Sequence, residues 1–131
     1  PILAQVLPWF AARQVRNRAT VGGNIGSASP IGDLLPCLLA LDAVIELAGP
    51  EGRRPVAAHE YFLDYRKTAR REDELVTAVT FTVPAGRQAF LKVAKRQTDD
   101  ISIVAAVFLV DADPAGVVRF ARLACGGVAA I

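Results

Sequence analysis

The chain has 131 residues, of which 53% are hydrophobic, and it carries 15 basic against 13 acidic side chains. This length and apolar content fit one domain or slightly more with a real core, and they exclude an intrinsically disordered chain. The net charge of +2 gives no electrostatic reason to expect a nucleic-acid partner.

Helical and loop signals alternate in the first third of the chain. Apolar residues at helical spacing predict a short or kinked helix over residues 3–11, where Pro8 interrupts the pattern. The Gly- and Ser-rich stretch 20–30 is predicted to be a loop with short extended pieces. Asp33 is a candidate N-cap for a helix over residues 34–41.

Most of the remaining signals predict β-strands. Alternating apolar residues and turn residues predict strands over residues 43–47, 53–57, 76–83, 90–94, 103–110 and 117–125. The aromatic and basic stretch 60–71 is expected to be a loop with one helical turn. Since the helix–strand alternation of a Rossmann domain is absent, the sequence predicts an α+β fold with a mostly antiparallel sheet and flanking helices. A seam near Gly86 predicts two units, 1–85 and 86–131, the second being the start of a smaller α+β domain.

The cysteines and the single histidine limit the metal and redox chemistry that the chain can support. Cys37 and Cys125 form no CxxC pair, which excludes a Cys-rich zinc module and an iron–sulfur cluster held by this chain alone. Both are expected to be inert core thiols in a reducing, cytoplasmic compartment. His59 has no cluster of metal ligands at suitable spacing, and no serine lies in a nucleophile elbow. The sequence therefore predicts neither a metal site nor a Ser-His-Asp triad.

Neither a membrane segment nor a nucleic-acid surface is predicted. No stretch reaches the roughly 18 unbroken apolar residues that a membrane-spanning helix needs. The basic stretch 65–71 is followed at once by the acidic residues 72–74, which favours a solvated loop over an RNA contact. The chain contains no methionine and begins Pro-Ile-Leu-Ala, which indicates a piece of a longer protein.

The densest group of candidate ligand-binding residues precedes the predicted helix at 34–41. The adjacent glycines Gly22 and Gly23 let the backbone approach a ligand closely, and their N–H groups can line an anion site. Thr20, Asn24 and Ser27 add neutral donors for hydroxyl or phosphate oxygens. The segment lacks both the GxGxxG fingerprint and the Gly-Lys-Ser/Thr of a P-loop. From the residues alone, a ligand-binding loop and a tight structural turn both remain open.

Two charged residues allow both a structural and a functional interpretation. Asp33 can cap the following helix, bind a ligand, or do both, since its carboxylate has two oxygens. Lys92 interrupts the apolar strand predicted over 90–94. It points either to solvent or inward, and an inward ammonium needs an anion or an electron-rich partner.

The stretch from Arg16 to Asp33, RNRATVGGNIGSASPIGD, closely resembles the second FAD-binding motif of the molybdenum hydroxylases. Residues 62–68, 74–84 and 95–102 are similar to later segments of the same family, in the same order. The similarity covers about residues 13–131 and looks most like xanthine dehydrogenase. It implies a flavin domain of the vanillyl-alcohol-oxidase type, of which this chain holds the second subdomain. The family's first FAD motif, a Gly-rich pyrophosphate loop, is absent from the chain, and Asp64 stands where many members have glycine.

The resemblance also implies which residues contact the cofactor. These are Thr20, Gly23, Asn24, Ser27 and Asp33, together with an apolar or backbone contact at Val76 and an approach of Lys92 to the flavin ring. A cation near the pyrimidine end of the ring stabilises the reduced flavin, which gives an inward Lys92 a chemical purpose. Arg96, Asp99 and Asp100 are implied to lie near the place where nicotinamide docks.

The function that the resemblance implies is electron transfer. A purine is hydroxylated at a molybdenum cofactor on another domain or subunit, electrons pass through iron–sulfur clusters that also lie elsewhere, and FAD in this chain delivers them to NAD+. The flavoprotein subunit of a carbon monoxide or aldehyde dehydrogenase shares the motif and is an alternative. A non-enzymatic binding module is a second alternative, which requires residues 20–33 to be only a structural turn.

Overall fold

A computed structural model describes residues 1–97 and 99–129 of the chain. Its helices are α1 (Ile2–Val6), which a 3₁₀ turn (Leu7–Trp9) follows, α2 (Arg13–Arg16), α3 (Val21–Ser27), α4 (Leu34–Ala40) and α5 (Ala58–Tyr61). Its strands are β1 (Val44–Gly49), β2 (Gly52–Ala57), β3 (Phe62–Asp64), β4 (Lys67–Thr68), β5 (Leu75–Thr80), β6 (Arg87–Val93), β7 (Val104–Ala112) and β8 (Val118–Gly126). None of the described helices has the length and apolarity needed to cross a bilayer.

The strand pairs of the described residues are all antiparallel. They form a first sheet in the order β2-β1-β5, a ribbon of β3 and β4, and a third sheet in the order β6-β7-β8. This arrangement confirms the predicted α+β class with mostly antiparallel strands. Each strand predicted from the sequence has an observed counterpart whose ends differ by a few residues.

α4 is buried on all sides because a sheet lies on each side of it. One side contributes to a first core with β1 and α3, which contains Ile25, Leu35, Leu38, Ile45, Leu47 and Tyr61. The other side contributes to a second core with α1 and the third sheet, which contains Ile2, Val6, Cys37, Phe90, Val107 and Leu109. An all-round apolar helix is typical of such a position. Since α4 packs against both sheets, the division into units 1–85 and 86–131 stays a prediction.

The Gly- and Ser-rich stretch contains a helix, α3, where the sequence predicted a loop. The hydroxyl of the N-cap residue, Thr20, accepts a hydrogen bond from the Gly23 N–H at 2.9 Å. Ile25 lies fully buried in the first core. Its burial, worth roughly 2–3 kcal/mol, and the cap together offset the cost of about 1 kcal/mol for each glycine in the helix. The helix therefore depends on tertiary packing that composition does not reveal.

The aromatic and basic stretch 60–71 is more regular than the predicted loop. It includes the end of α5, which supplies the expected helical turn, and the two-stranded ribbon of β3 and β4. Phe62 pairs with Thr68 in this ribbon, and Arg66 in the turn adopts a left-handed conformation with φ 52°. Short local pairing across a tight turn is a weak signal, since the ribbon contains no alternation long enough to detect.

The side chain of Gln5 closes the outer edge of β6. Its amide oxygen accepts a hydrogen bond from the Phe90 N–H at 3.0 Å, and its amide nitrogen donates to the Gln88 carbonyl at 2.9 Å. The backbone N–H of Ile2 also donates to Gln88 Oε1 at 2.8 Å. The amide thus pairs with β6 as a neighbouring strand would, which anchors α1 and satisfies free backbone groups of an edge strand.

Glu74 is buried before β5 and connects three segments of the chain. Its carboxylate accepts hydrogen bonds from Arg54 Nε at 2.7 Å and Nη2 at 2.8 Å, and from the Arg71 N–H at 2.7 Å. Arg54 Nη2 also donates to the Ala69 carbonyl at 2.8 Å. The hydrogen bonds from Arg54, followed by the one from the Arg71 backbone, lower the pKa of Glu74 from 4.5 to about 2 despite its burial.

We expect Glu74 to make the stability of the protein depend on acid pH. Because the pKa of Glu74 is lower in the folded than in the unfolded state, its contribution is present above about pH 4.5 and is lost as the pH falls toward 2. Glu74→Gln should flatten the decline of the unfolding free energy in this window, as measured by urea titration at several pH values. Glu72→Gln, at an exposed position, is the matched control. Equal pH slopes for wild type and Glu74→Gln would contradict the assignment.

Candidate functional site

Asp33, Lys92 and Ser102 form a buried polar cluster between the start of α4 and the third sheet. The side chains of Asp33 and Lys92 are 7% and 8% exposed, and Ser102 is 1% exposed. Lys92 Nζ lies 2.8 Å from Asp33 Oδ2 and also donates to the Trp9 carbonyl at 3.0 Å. The Ser102 hydroxyl donates to Asp33 Oδ1. Each oxygen of a buried carboxylate thus has its own donor, which is the condition for burying a charge at acceptable cost.

The strand geometry explains why Lys92 points inward. Successive side chains of a strand alternate between its faces, and Phe90 of β6 is buried in the second core while Leu91 and Val93 are exposed. Lys92 therefore shares the inner face with Phe90. Of the two orientations that the sequence left open, the structure shows the inward one, and the partner within the chain is the Asp33 carboxylate.

The prediction that the Asp33 side chain caps α4 is wrong. Asp33 occupies the N-cap position of α4, but its side chain makes no capping hydrogen bond and its backbone is helical. The carboxylate is turned to Lys92 and Ser102 instead, because these two donors offer more than a single backbone N–H could. The residue type fits a cap, but the long-range ion pair determines its rotamer.

A first groove of about 520 Å³ lies beside this cluster. Its lining includes Phe10, Val15, Asn24, Asp33, Arg96 and Asp100. The Oδ1 atom of Asn24 is buried and has no hydrogen-bond partner within the described part of the chain. A buried acceptor without a donor is uncommon in proteins, so Asn24 Oδ1 is available to a ligand or to water.

Asp100 fixes the backbone at Arg96 and Ile101, two residues that form part of the edge of the first groove. Its carboxylate accepts hydrogen bonds from the backbone N–H groups of Arg96 and Ile101, both at 2.9 Å. Burial raises the pKa of Asp100, but these hydrogen bonds and the Arg96 side chain outweigh burial and hold the pKa below its ordinary value. Arg96 and Asp100 thus come together at the groove, and Asp99 lies in its lining as well.

A second groove of about 420 Å³ lies on another side of α3, where it meets α1, α4 and β5. Its lining is largely apolar and includes Leu7, Val21, Gly22, Leu38, Val76 and Phe81. Among the described residues, a Cβ atom added at Gly22 would meet no atom within 4 Å outside its own stretch of helix, so the backbone there is bare and faces open space. Gly23 differs, because a Cβ atom there would lie 3.0 Å from the Thr20 hydroxyl oxygen.

The structure brings only some of the predicted site residues together. Asn24 and Asp33 line the first groove, with Lys92 bonded to Asp33. Thr20 and Gly23 bond to each other at the start of α3, as described above. Ser27 donates to the Asn24 carbonyl at 2.9 Å, and Val76 lies across the second groove. Of the predicted contacts, Asn24 and Asp33 thus line the first groove and Val76 lines the second. Thr20, Gly23, Ser27 and Lys92 lie outside the described lining of both.

Sequence reasoning missed Ser102 as a site residue. Ile101 and Ile103 are 61% and 50% exposed, while the serine between them is buried. A polar residue inside with apolar neighbours outside reverses the usual pattern, and this inversion is the signal that marks a serine placed for hydrogen bonding. The signal becomes visible only when the orientation of the segment is known.

The two cysteines and the histidine have different surroundings. Cys37 is fully buried, and burial together with the nearby Asp33 charge raises its pKa to about 12, as suits a core thiol. Cys125 is exposed, so the expectation of a core thiol is wrong for that residue. His59 lies on α5, exposed, 3.9 Å from Asp42. Among the residues that the structure describes, no three His, Cys, Asp or Glu side chains are grouped to hold a metal ion.

Two family models match the chain. The model described as FAD binding domain in molybdopterin dehydrogenase matches residues 1–85, and the model described as CO dehydrogenase flavoprotein C-terminal domain matches residues 89–131. The chain is 40% identical both to nicotinate hydroxylase of Emericella nidulans, over 97% of its length, and to xanthine dehydrogenase of Blastobotrys adeninivorans, over 96%. It spans only about a tenth of the length of these relatives, 10% and 9%.

Two solved structures share the fold of this chain over almost its whole length. Reconstituted CO dehydrogenase from Oligotropha carboxidovorans superimposes with a TM-score of 0.93 at 32% identity, over 99% of this chain and 46% of that one. Quinoline 2-oxidoreductase from Pseudomonas putida 86 superimposes with a TM-score of 0.91 at 28% identity, over 98% of this chain and 44% of that one.

Proposed function

Because the chain belongs to the family of FAD-binding domains of molybdopterin dehydrogenases, we propose that it binds FAD along α3 and beside the Asp33–Lys92 pair in a larger oxidoreductase of the xanthine dehydrogenase type. The observation that carries this proposal is the bare backbone at Gly22, which leaves room for a ligand in an apolar groove. Asn24 Oδ1, on the other flank of α3, is buried without a hydrogen-bond partner among the described residues, which supports the same fit.

The residues that would hold the cofactor are Thr20, Gly23, Asn24, Ser27, Asp33, Val76 and Lys92. Glycine allows close approach of the main chain, and the hydroxyl and amide groups suit ribityl and phosphate oxygens. Val76 offers an apolar surface in the second groove. Lys92 supplies a fixed positive charge, since its pairing with Asp33 holds the ammonium in one place. No residue of the chain is assigned a catalytic role, because the bound flavin carries the electrons.

The whole enzyme would connect several cofactors. FAD accepts electrons singly and releases them as a hydride, which allows it to link iron–sulfur clusters to NAD+. We propose that molybdenum and iron–sulfur cofactors lie on partner domains or subunits, that the substrate is a purine, and that the enzyme is cytoplasmic. Arg96, Asp99 and Asp100 border the first groove and are proposed to face the nicotinamide. Xanthine dehydrogenases among the relatives favour this assignment.

The flavoprotein subunit of a carbon monoxide dehydrogenase is the second candidate. The TM-score of 0.93 with CO dehydrogenase from Oligotropha carboxidovorans favours it, and the FAD motif is common to both. The two candidates differ in electron donor and acceptor rather than in the flavin site. A purely structural module is disfavoured by the family match over residues 1–85.

Anaerobic reduction of the flavin in the holoenzyme tests the proposal. We expect the flavin absorbance to bleach with NADH, and to bleach with xanthine in a reaction that NAD+ reverses. Carbon monoxide should have no effect. Bleaching by carbon monoxide with no response to NADH would favour the second candidate. A purified holoenzyme that contains no flavin would contradict FAD binding itself.

A further inference from the structure

Ser102 is a buried serine whose hydroxyl bonds a carboxylate from a distant part of the chain. The residue is 1% exposed and stands two positions before the start of β7, and the neighbouring Ile103 N–H donates a hydrogen bond to the Val93 carbonyl at 2.8 Å. This backbone pairing fixes the direction in which the Ser102 side chain points. Its hydroxyl reaches Asp33, which lies 69 positions earlier in the chain.

The hydrogen bonds of the Asp33 carboxylate show what Ser102 contributes. Oδ2 receives the Lys92 ammonium, and within the described part of the chain Oδ1 receives only the Ser102 hydroxyl. Without that hydroxyl the carboxylate could rotate, since one firm donor fixes one oxygen and two donors on different segments fix the plane. The Lys92 ammonium would then lose its fixed acceptor geometry, and among the described residues only the Trp9 carbonyl would stay as a defined partner.

We propose that Ser102 is a positioning residue that orients the Asp33 carboxylate and, through it, the Lys92 ammonium toward the cofactor. This inference rests on the proposed function, because Asp33 and Lys92 are the residues proposed to face FAD. Ser102 also takes up part of the negative charge of Asp33 through its hydrogen bond, so the site presents a more positive potential to the flavin. A more positive site favours the reduced cofactor over the oxidised one.

The test measures FAD affinity and the flavin midpoint potential in the holoenzyme. Ser102→Ala should weaken FAD binding about tenfold, the magnitude of one lost hydrogen bond to a charged group, and should move the midpoint potential to more negative values. Ser102→Thr keeps the hydroxyl and should restore the potential. Ile103→Ala, at the exposed neighbour, controls for general loosening of this segment and should leave the potential unchanged.

The midpoint potentials of these variants distinguish a positioning role of Ser102 from a purely structural one. A wild-type midpoint potential in Ser102→Ala would overturn the proposal, and so would a shift of equal size in Ser102→Thr or Ile103→Ala. If Ser102→Ala retains no flavin, Ser102→Cys, which is close in size but a weaker donor, should show a smaller shift in the same direction. An unshifted potential in Ser102→Cys would then overturn it. A wild-type holoenzyme without FAD would instead refute the proposed function, which separates the two failures.

Discussion

Replacing Gly22 by leucine is expected to weaken FAD binding by the holoenzyme roughly 10- to 100-fold while the chain remains folded. Gly22 lines the second groove, and a Cβ atom there would meet no described atom within 4 Å outside its own stretch of helix, so the added side chain would occupy space proposed for the cofactor. Leucine also has a higher helix propensity than glycine by roughly 0.5–1 kcal/mol, so α3 itself should become more stable. Flavin content after gel filtration and the thermal midpoint of the flavin-free protein measure the two effects.

The contrast with a second glycine of the same helix makes this test specific. Gly26 also faces open space, and it lies outside the described lining of the second groove. Gly26→Leu should therefore stabilise α3 by a similar amount and retain FAD. Equal retention of flavin in the Gly22 and Gly26 variants would contradict a cofactor contact at Gly22. Gly23 is less suitable, because a side chain there disturbs the Thr20 cap.

The strands could be predicted from the sequence because their signals are local. The hairpin of β1 and β2 has alternating apolar residues and a Gly-rich turn, and the hairpin of β7 and β8 has a turn that Asp113 organises. Period-two alternation and turn residues need only a few neighbouring positions to be detected. For the same reason the antiparallel class followed directly, since short turns allow only antiparallel neighbours.

The helix α3 and the polar cluster depend on distant parts of the chain. Local composition predicted a loop where Ile25 of the helix packs in the first core, and residue type predicted a cap where Asp33 forms an ion pair. The donors to Asp33 come from β6 and from the segment before β7, neither of which can be placed near α4 by periodicity. The resemblance to the family's FAD motif did indicate this region as a candidate site, because a motif reflects the folded arrangement even where local patterns do not predict it.

Removing one partner of the buried Asp33–Lys92 ion pair is expected to lower the free energy of unfolding more than any other proposed substitution. Lys92→Met keeps roughly the length of the side chain but removes the cation. The Asp33 carboxylate then stays almost wholly buried, and Ser102 is its remaining side-chain donor in the described part of the chain. The loss of one partner of a buried pair destabilises a protein by about 3–5 kcal/mol, since the other charge stays desolvated without compensation. Chemical denaturation of the flavin-free protein, monitored by the fluorescence of Trp9, measures this change.

The double variant Lys92→Met with Asp33→Leu separates the cost of the orphaned charge from the value of the pair. Leu34 follows Asp33, Phe90 shares a strand face with Lys92, and both of these apolar residues belong to the second core, so two apolar side chains are suitable replacements for the pair. We expect the double variant to unfold within about 1–2 kcal/mol of the wild type, far above the single Lys92 variant. If the double variant is as unstable as Lys92→Met, the pair itself contributes the stability. If it is stable but retains no FAD, the pair is there for the cofactor, and folding alone does not require it.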